Sequence, residues 1–427
     1  MKKCKNKKCK ALKVLGVIAV AIVLFVCFNL IVNTFTNKNS IEFASSFEKV
    51  QIENQLVPEK DENGNWTFTT DRELKVMHLT DVHIGGGWLC AKLDKMAINA
   101  VANMIAVEKP DLVVVTGDIA YPAVYESFSI NNLPPHTTFA TLMETLGVYW
   151  IPTFGNHDSE FYSPYDREEI SEFYSSEDFK YCLYQEGSED IYGCGNSVIN
   201  VKNSDGIITQ SIFTIDSNAY TGDGLIEMLA WEYDNIHDDQ IAWYKSTMES
   251  IIKHNTSVIE NMENKDELLE KYAKGNSLLF FHIPVEEYYD AWLEYSENDF
   301  KDTENTKLIY GTATEGGRVV YNSDIHNNLF ETMQELGGNQ GMFVGHDHIN
   351  NLSMDYKGIR LTYGYSIDYL AYLRIHKLGS QRGCTMVTVK PDGTFDITPE
   401  NYYQDKYAND LREEVTMQEM TPSKVEK

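Results

Sequence analysis

The stretch LKVMHLTDVH, residues 74 to 83, decides the fold class. It is mainly apolar, has the length of a buried strand, and ends in polar residues. An amphipathic pattern over residues 90–110 then predicts a helix, and DLVVVTGD, residues 111 to 118, predicts a second strand. A helix between two short apolar runs is typical of a βαβ unit. The sequence therefore predicts an α/β domain with a largely parallel sheet.

Further elements are predicted on the C-terminal side of this unit by the same periodicities. Helices are predicted over residues 136–147 and 238–255, single strands over 148–158, 277–284, 341–348 and 359–364, and strand pairs over 197–216 and 385–399. Since no internal repeat or low-complexity linker divides the sequence, we expect one domain over residues 74–400. Residues 401–427 are predicted to be an acidic polar tail that begins with a surface helix.

The N-terminus predicts a membrane anchor. Residues 1–13 carry seven lysines and no acidic residue, and residues 14–32 are apolar except for Asn29. A helix of this length spans about 28 Å, close to the hydrocarbon thickness of a bilayer. A cleaved signal peptide is the alternative, but the run is long and no small-residue cleavage site follows it. Because lysine-rich flanks stay cytoplasmic, we expect a single-pass protein of the cell membrane, with residues 33–73 as a juxtamembrane linker and an extracytoplasmic domain.

The charge of the chain argues against a nucleic-acid partner. It has 64 acidic and 36 basic residues, a formal net charge of −28. Seven of the basic residues lie in the first thirteen positions, so the rest of the chain is more acidic still. A strongly negative body repels phosphate backbones, and no nucleic-acid polymer is expected to bind. An anionic substrate would need local cations.

Oxygen and imidazole side chains follow five predicted strands at the point where each strand ends. They are Asp81 and His83, Asp118, Asn156 and His157, His282, and His346 and His348. One such aspartate or histidine is more often a cap or core residue, but five such strand ends are not expected by accident. Ligands bind beyond the carboxyl ends of strands in open α/β sheets, and residues i and i+2 of a strand share a face, so we expect convergence on one site. These donors suit iron, manganese or zinc.

The motifs resemble those of the calcineurin-like metallophosphoesterases, in the branch related to purple acid phosphatases. The matching stretches are DVH (81–83), GD (117–118), GNHD (155–158), FFHIP around His282, and GHDH (345–348). The resemblance extends over about residues 70–375. It implies a four-layer αββα sandwich and a phosphoric ester hydrolase, here preceded by the transmembrane helix.

The resemblance also implies the role of each residue. One metal would be bound by Asp81, His83, Asp118 and His348, and the second by Asp118, Asn156, His282 and His346. Two such cations would generate a bridging hydroxide that attacks a small phosphorylated substrate, a phosphomonoester. His157 would protonate the leaving group, and Asp158 would orient His157.

Several alternatives stay open at this point. A phosphodiesterase acting on nucleotides or lipid headgroups would use the same ligands, and a catalytically silent surface-binding protein would keep the same fold. Tyr121 occupies a position where purple acid phosphatases bind ferric iron through tyrosine, but those enzymes lack a histidine equivalent to His83. We therefore interpret Tyr121 as a neighbour of the ligands or of the substrate. His78 is interpreted as a core residue. The aromatic stretch 363–372 either borders the substrate pocket or packs in the core, and core packing is favoured. The oligomeric state is not predicted.

Overall fold

The structure is a computed structural model that describes residues 2–222, 224–372, 375, 382–416 and 420–425, with side chains from residue 10 onward. Its helices are α1 (Lys2–Ala44), α2 (Ala91–Glu108), α3 (Val124–Ser127), α4 (Leu133–Leu146), α5 (Arg167–Tyr174), α6 (Leu225–Ala230), α7 (Asp238–Ile259), α8 (Lys265–Tyr272), α9 (Glu286–Glu297) and α10 (Leu329–Leu336), with a 3-10 turn at Asp405–Tyr407. Its strands are β1 (Glu59–Lys60), β2 (Trp66–Thr69), β3 (Leu74–Leu79), β4 (Leu112–Thr116), β5 (Tyr149–Thr153), β6 (Ser197–Lys202), β7 (Ile208–Thr214), β8 (Ser277–Phe280), β9 (Thr306–Tyr310), β10 (Gln340–Val344), β11 (Ser353–Tyr356), β12 (Ile359–Tyr363), β13 (Gly383–Val389) and β14 (Phe395–Asn401).

The strands form two sheets. The larger sheet has nine strands in the order β1-β2-β6-β7-β8-β10-β12-β11-β9, and the smaller has five in the order β14-β13-β3-β4-β5. The neighbours β3, β4 and β5 are parallel, and so are β7, β8, β10 and β12. The predicted parallel βαβ core is therefore confirmed, with antiparallel pairs toward the sheet edges.

The side chains of the central strands alternate between two hydrophobic cores. In β8, Leu278 and Phe280 belong to the core that includes the five-stranded sheet, whereas Leu279 packs in the core beneath α7, α9 and α10. This alternation follows because successive side chains of a strand point to opposite faces. On the smaller sheet, Ile98 of α2 and Phe139 of α4 join the first core. The layers run helix, sheet, sheet, helix, which confirms the predicted αββα sandwich.

The predicted strands that carry the polar motifs end earlier than expected. The strand predicted over residues 74–83 ends at Leu79, the one over 148–158 ends at Thr153, and the one over 341–348 ends at Val344. The motif residues lie in the loops that follow. The polar side chains that mark the site are thus the ones that terminate the buried strands.

Residues 33–73, predicted to be a linker, contribute regular structure. Helix α1 continues to Ala44 and packs against α2 and α4. Strand β2 pairs in parallel with β6 and buries Phe68 completely. The polar composition of this segment concealed both features, because one face of the helix is exposed and β2 is only four residues long. Within α1, residues 10–44 are long and apolar enough to cross a membrane.

Residues 401–427, predicted to be an acidic tail with a helix, pack on the domain over part of their length. Tyr402 and Tyr407 are fully buried. Farther along, Trp292 donates from Nε1 to the carbonyl of Ser423 at 2.9 Å. Among the described residues of this segment, the 3-10 turn is the only helical element after β14 ends. Aromatic residues among the charged ones explain the difference, since they return the chain to the domain.

Two side-chain expectations are settled by the structure. His78 is buried as predicted: its Nε2 lies 2.7 Å from Thr116 Oγ1, and burial lowers its pKa to about 3. The sequence leaves open whether Cys182 and Cys194 form a disulfide. Both are free thiols.

Candidate metal centre

The loops after β3, β4 and β10 hold four candidate ligands in a rare backbone conformation. Asp81, His83, Asp118 and His346 have φ angles of 52°, 52°, 51° and 72°. Non-glycine residues adopt positive φ at a cost in energy, and such residues concentrate at functional sites. The expectation that strand periodicity aligns Asp81 with His83, and His346 with His348, does not apply here, because these residues lie in loops.

Glycines of the GHDH and GNHD motifs let these loops approach each other closely. A Cβ atom at Gly345 would lie 1.9 Å from Thr80 Oγ1 and 2.7 Å from Asp81 Oδ2. A Cβ atom at Gly155 would lie 2.1 Å from Asp118 Oδ1. Any larger residue at these two positions would displace a candidate ligand.

The first donor set consists of Asp81, His83, Asp118 and His348, all of them buried. One donor atom from each lies within 4.8 Å of the others. His83 Nε2 is 3.3 Å from Asp118 Oδ2, and His348 Nε2 is 3.5 Å from Asp81 Oδ1. Carboxylate oxygens and imidazole nitrogens at these separations can surround one first-row metal ion. The structure thus brings together the four residues predicted to share a metal.

The second donor set begins at the same aspartate. Asp118 Oδ2 lies 3.2 Å from His282 Nε2, which in turn lies 3.2 Å from Asn156 Oδ1 and 3.3 Å from His346 Nδ1. All seven predicted ligands therefore meet in one cluster, and Asp118 stands between the two sets. His346 and His348, which are separated by one residue in the sequence, belong to different sets.

Charge is distributed unevenly among these buried groups. Burial raises the pKa of Asp118, but His282 and His157 outweigh it and hold this pKa well below its usual value. Burial lowers the pKa of His282, and Asp118 reverses the effect and raises it to about 9. The pKa of His346 is well below its usual value because burial and the neighbouring His282 both disfavour its cation. Binding of a metal ion would release the protons held in such a cluster.

Asp368, which was not among the residues predicted from the sequence, lies between two histidines of the first set. Its Oδ1 is 3.4 Å from His83 Nδ1, and its Oδ2 is 3.2 Å from His348 Nδ1. Three backbone N–H groups of residues 370–372 also donate to this carboxylate. Asp368 therefore orients both rings with Nε2 toward the metal position. Asp368 is the only acidic residue of the aromatic stretch 363–372. An acid among aromatic residues is the one sequence feature that could have indicated its role.

Glu160, rather than Asp158, orients His157. His157 Nδ1 lies 2.6 Å from Glu160 Oε1. The carboxylate of Asp158 instead accepts from the backbone N–H groups of Asp118 and Ala120, both at 2.9 Å. This corrects the role predicted for Asp158, which fixes the loop that carries the shared ligand. The GNHD motif placed an acid next to the histidine, but neighbouring side chains in this loop point in different directions.

A cavity of about 370 Å³ opens over the cluster. His157, His346 and His348 line it together with several aromatic side chains. The ring of Tyr121 lies 4.8 Å from that of His157 and 5.1 Å from that of His83, centroid to centroid. Tyr121 therefore stands beside the ligands and faces the cavity, in agreement with its interpretation from sequence.

Comparison with known protein families agrees with this geometry. The family described as calcineurin-like phosphoesterase matches residues 74–350, more than half of the chain. The chain belongs to this family. The match begins with β3 and ends just after the GHDH motif, so it contains all seven candidate ligands and His157.

Curated relatives are about a quarter identical to this member of the family over the aligned regions. "Probable inactive purple acid phosphatase 14" of Arabidopsis thaliana is 26% identical, over 71% of this chain and 73% of that protein. "Probable inactive purple acid phosphatase 29" of the same plant is 25% identical, over 78% and 81%. "Phosphatase DCR2" of Saccharomyces cerevisiae is 25% identical, over 66% and 45%. A dimetal phosphatase structure from Danio rerio has a TM-score of 0.45 at 12% identity, over 78% of this chain and 97% of that one.

Proposed function

We propose that this chain is a membrane-anchored, extracytoplasmic phosphomonoesterase that depends on two metal ions. The observation that carries the proposal is Asp118, whose carboxylate is shared by two donor sets next to the imidazole of His157. Family membership supports a phosphoric ester hydrolase. The donors are carboxylate, amide and imidazole, which fit iron, manganese or zinc.

The residues present fit a dinuclear centre. Two cations held by them would activate water and neutralise charge on the phosphoryl group. The protein's own part is to fix the ligands: Asp368 holds His83 and His348, and the carbonyl of Thr116 accepts from His282 Nδ1 at 2.7 Å. This local concentration of positive charge explains how so acidic a chain would bind an anionic substrate.

His157 is suited to protonate the leaving oxygen. Its backbone N–H donates to Asp118 Oδ1 at 2.8 Å, which fixes the residue relative to the cluster. With Nδ1 bonded to Glu160, Nε2 is the ring atom available to the cavity. Burial lowers the pKa of His157, but Asp118 and then Glu160 raise it above its ordinary value. A protonated imidazole beside the substrate is a general acid.

A second candidate function comes from the names of the relatives. Two Arabidopsis proteins similar to this chain are named as probable inactive phosphatases, which favours a binding protein that retains the fold. The complete donor set and the Glu160–His157 pair of this chain support catalysis instead. A phosphodiesterase would use the same ligands and is distinguished by substrate alone.

The proposed anchor is the N-terminal part of α1. Residues 10–44 of this helix satisfy the length and hydropathy expected of a membrane span, and seven lysines precede the apolar run of residues 14–32. Positively charged flanks favour the cytoplasmic side, which would place the catalytic domain outside. A C-terminal epitope tag detected by antibody on intact cells tests this topology; a tag detected only after permeabilisation would contradict it.

Metal content and turnover test the catalytic proposal together. Protein purified without added metal salts should contain two ions per chain and hydrolyse an aryl phosphate. Chelation should remove both the ions and the turnover, and iron, manganese or zinc should restore them. The His254→Ala variant, which alters an exposed histidine bonded to the carbonyl of Gly206, serves as the matched control and should behave like the parent protein. Two bound ions without turnover of aryl, alkyl or diester substrates would favour the silent binding protein.

A further inference from the structure

The catalytic domain contacts α1 inside the apolar run. Asn29, the one clearly polar residue of 14–32, donates from Nδ2 to the carbonyl of Phe128 at 2.8 Å, and its Oδ1 accepts from Trp88 Nε1 at 2.8 Å. One turn earlier, the ring of Phe25 packs edge-on against that of Phe128 at 5.9 Å. At 1.5 Å per residue, Phe25 lies about 10 Å before the end of the apolar run. A membrane crossed by residues 14–32 would therefore reach Trp88 and Phe128 themselves.

The loops that make this contact expose apolar side chains. Leu89 follows Trp88 and is exposed, and Val124 and Tyr125 of α3, the helix that ends next to Phe128, are 52% and 74% exposed. Contiguous exposed apolar surface on a protein usually marks a binding surface or a membrane contact. Aromatic rings in particular favour the boundary between water and bilayer.

Helix α6 exposes a second apolar surface. No side chain of this helix is buried, and Leu225, Ile226 and Leu229 are all exposed, Ile226 by 76%. Trp231, directly after the helix, is exposed as well. Within the described residues this surface has no apolar cover, which is unfavourable in water.

Both apolar segments border the metal cavity. Tyr125 from α3, and Leu229 and Trp231 from α6, line the same cavity as His157 and His348. Part of the cavity lining is therefore exposed and apolar, beside the acidic side chains of Glu160, Glu315 and Asp347. Helix α3, which carries Tyr125, ends next to Phe128, the residue that contacts the anchor. A water-soluble phosphate ester gains nothing from this apolar lining, whereas the acyl chains of a lipid would stay in the bilayer while its headgroup enters the cavity.

We propose that the metal cavity opens onto the membrane surface and that its substrate is a phosphate ester carried by a membrane lipid. This inference rests on the proposed function, on both the anchor and the phosphoesterase site. The acidity of the domain does not oppose it, because α1 holds the domain at the bilayer without help from attraction to lipid headgroups. The proposal also assigns a role to Asn29. Its side chain joins the domain to the anchor through two hydrogen bonds.

The test compares substrates that share a headgroup and differ in their chains. Full-length protein is reconstituted in phosphatidylcholine vesicles that contain long-chain phosphatidic acid, and turnover is compared with that of a soluble short-chain phosphatidic acid and an aryl phosphate. The variant Val124→Ser/Ile226→Ser removes two exposed apolar side chains that lie beside the cavity lining. Its turnover of the vesicle lipid should fall roughly tenfold, since less apolar surface enters the bilayer, while turnover of the soluble substrates stays unchanged.

A matched variant controls for loss of apolar surface as such. Ile309→Ser/Leu411→Ser changes two other exposed apolar side chains, 49% and 47% exposed, that lie outside the cavity lining and the α1 contact. It should match the parent protein on all three substrates. An equal loss of lipid turnover in both double variants would overturn the inference.

The remaining outcomes separate the inference from the proposed function. Turnover of the aryl phosphate without turnover of vesicle lipid, or faster turnover of a phosphorylated peptide, would overturn the lipid substrate and leave the phosphoesterase in place. No turnover of any substrate would reject the proposed function and the lipid substrate with it. The position of the cavity is tested independently by quenching of tryptophan fluorescence with brominated acyl chains. Trp231→Phe should reduce that quenching, and undiminished quenching would show that the rim does not face the bilayer.

Discussion

The two donor sets of the metal cluster are held in different ways. In the first set, Asp81 joins the shared carboxylate of Asp118, and the carboxylate of Asp368 lies 3.4 and 3.2 Å from the Nδ1 atoms of His83 and His348. In the second set, the neutral amide of Asn156 replaces a carboxylate. Its histidine His282 is held by a backbone carbonyl instead of an acid.

One shared ligand can therefore belong to two unequal donor sets. The first set concentrates more negative charge and is oriented by a buried anion, so it should bind a cation more tightly. The second set should release its ion first as a chelator is added.

Asp118→Ala should remove the difference between the sets by disabling both. The variant loses a ligand from each set, and two nearby cations without a bridging carboxylate repel each other. Turnover should fall to the rate without enzyme, and metal analysis should find fewer than two ions per chain. His254→Ala is the control, and retention of two ions with normal turnover would contradict the shared-ligand assignment.

His157→Ala should separate proton donation from metal binding. Both ions should remain, because His157 belongs to neither set, while turnover of an alkyl phosphate falls roughly 10²- to 10⁴-fold. An aryl phosphate should lose far less, since its leaving oxygen needs little protonation. Glu160→Gln should show the same substrate dependence with a smaller loss, because the imidazole remains but loses its charged partner. An equal loss on both substrates would assign His157 to phosphate positioning.

Asp368→Asn should weaken the first set alone. The change removes the negative charge that faces His83 and His348, and metal affinity should fall about 10- to 100-fold at one of two sites. Tyr220→Phe is the counterpart at the second set, where Asn156 Nδ2 donates to the tyrosine hydroxyl at 3.0 Å. Competition with a chelator measures both affinities. If Asp368→Asn weakened both ions equally, the sets would not be independent.

His78→Gln should leave both ions in place and alter only the pH dependence of stability. His78 is neutral in the folded protein because its pKa is about 3, whereas the unfolded chain binds a proton near pH 6.5. Native stability is therefore lost as the pH falls below 6.5, by about 2 kcal/mol at pH 5. The variant should show a pH dependence weaker by this amount in denaturant unfolding at pH 7 and pH 5. An unchanged dependence would show that His78 is not the group responsible.

Long apolar runs made much of the fold predictable from sequence. Strands β3, β4 and β5 were predicted because each is a short, mainly apolar run. Helix α2 was predicted from its amphipathic pattern. Strand β9 was not, since as an edge strand it buries only Thr306 fully and has no apolar run. Strand β2 escaped for a similar reason, because its four residues follow a polar turn.

The candidate site was predictable only at positions where a side chain that can bind a metal also follows the end of a strand. All seven candidate ligands follow strand ends, so residue type and position together marked them as candidates. Asp368 and Glu160 were missed because each acts through a contact that exists only after folding. Asp368 is remote in sequence from His83, and Glu160 lies beyond the more conspicuous Asp158.

Strand β2 has a practical consequence for anyone who shortens this protein. The family match begins at residue 74, but β2 at Trp66–Thr69 covers the outer edge of β6. A version started at Leu74 would retain every candidate metal ligand and yet leave the backbone N–H and C=O groups on the outer edge of β6 unpaired, while β7 still pairs with the other edge. Exposed edges of this kind pair with other chains. Such a truncated protein should aggregate, and a version that starts before Glu59 should not.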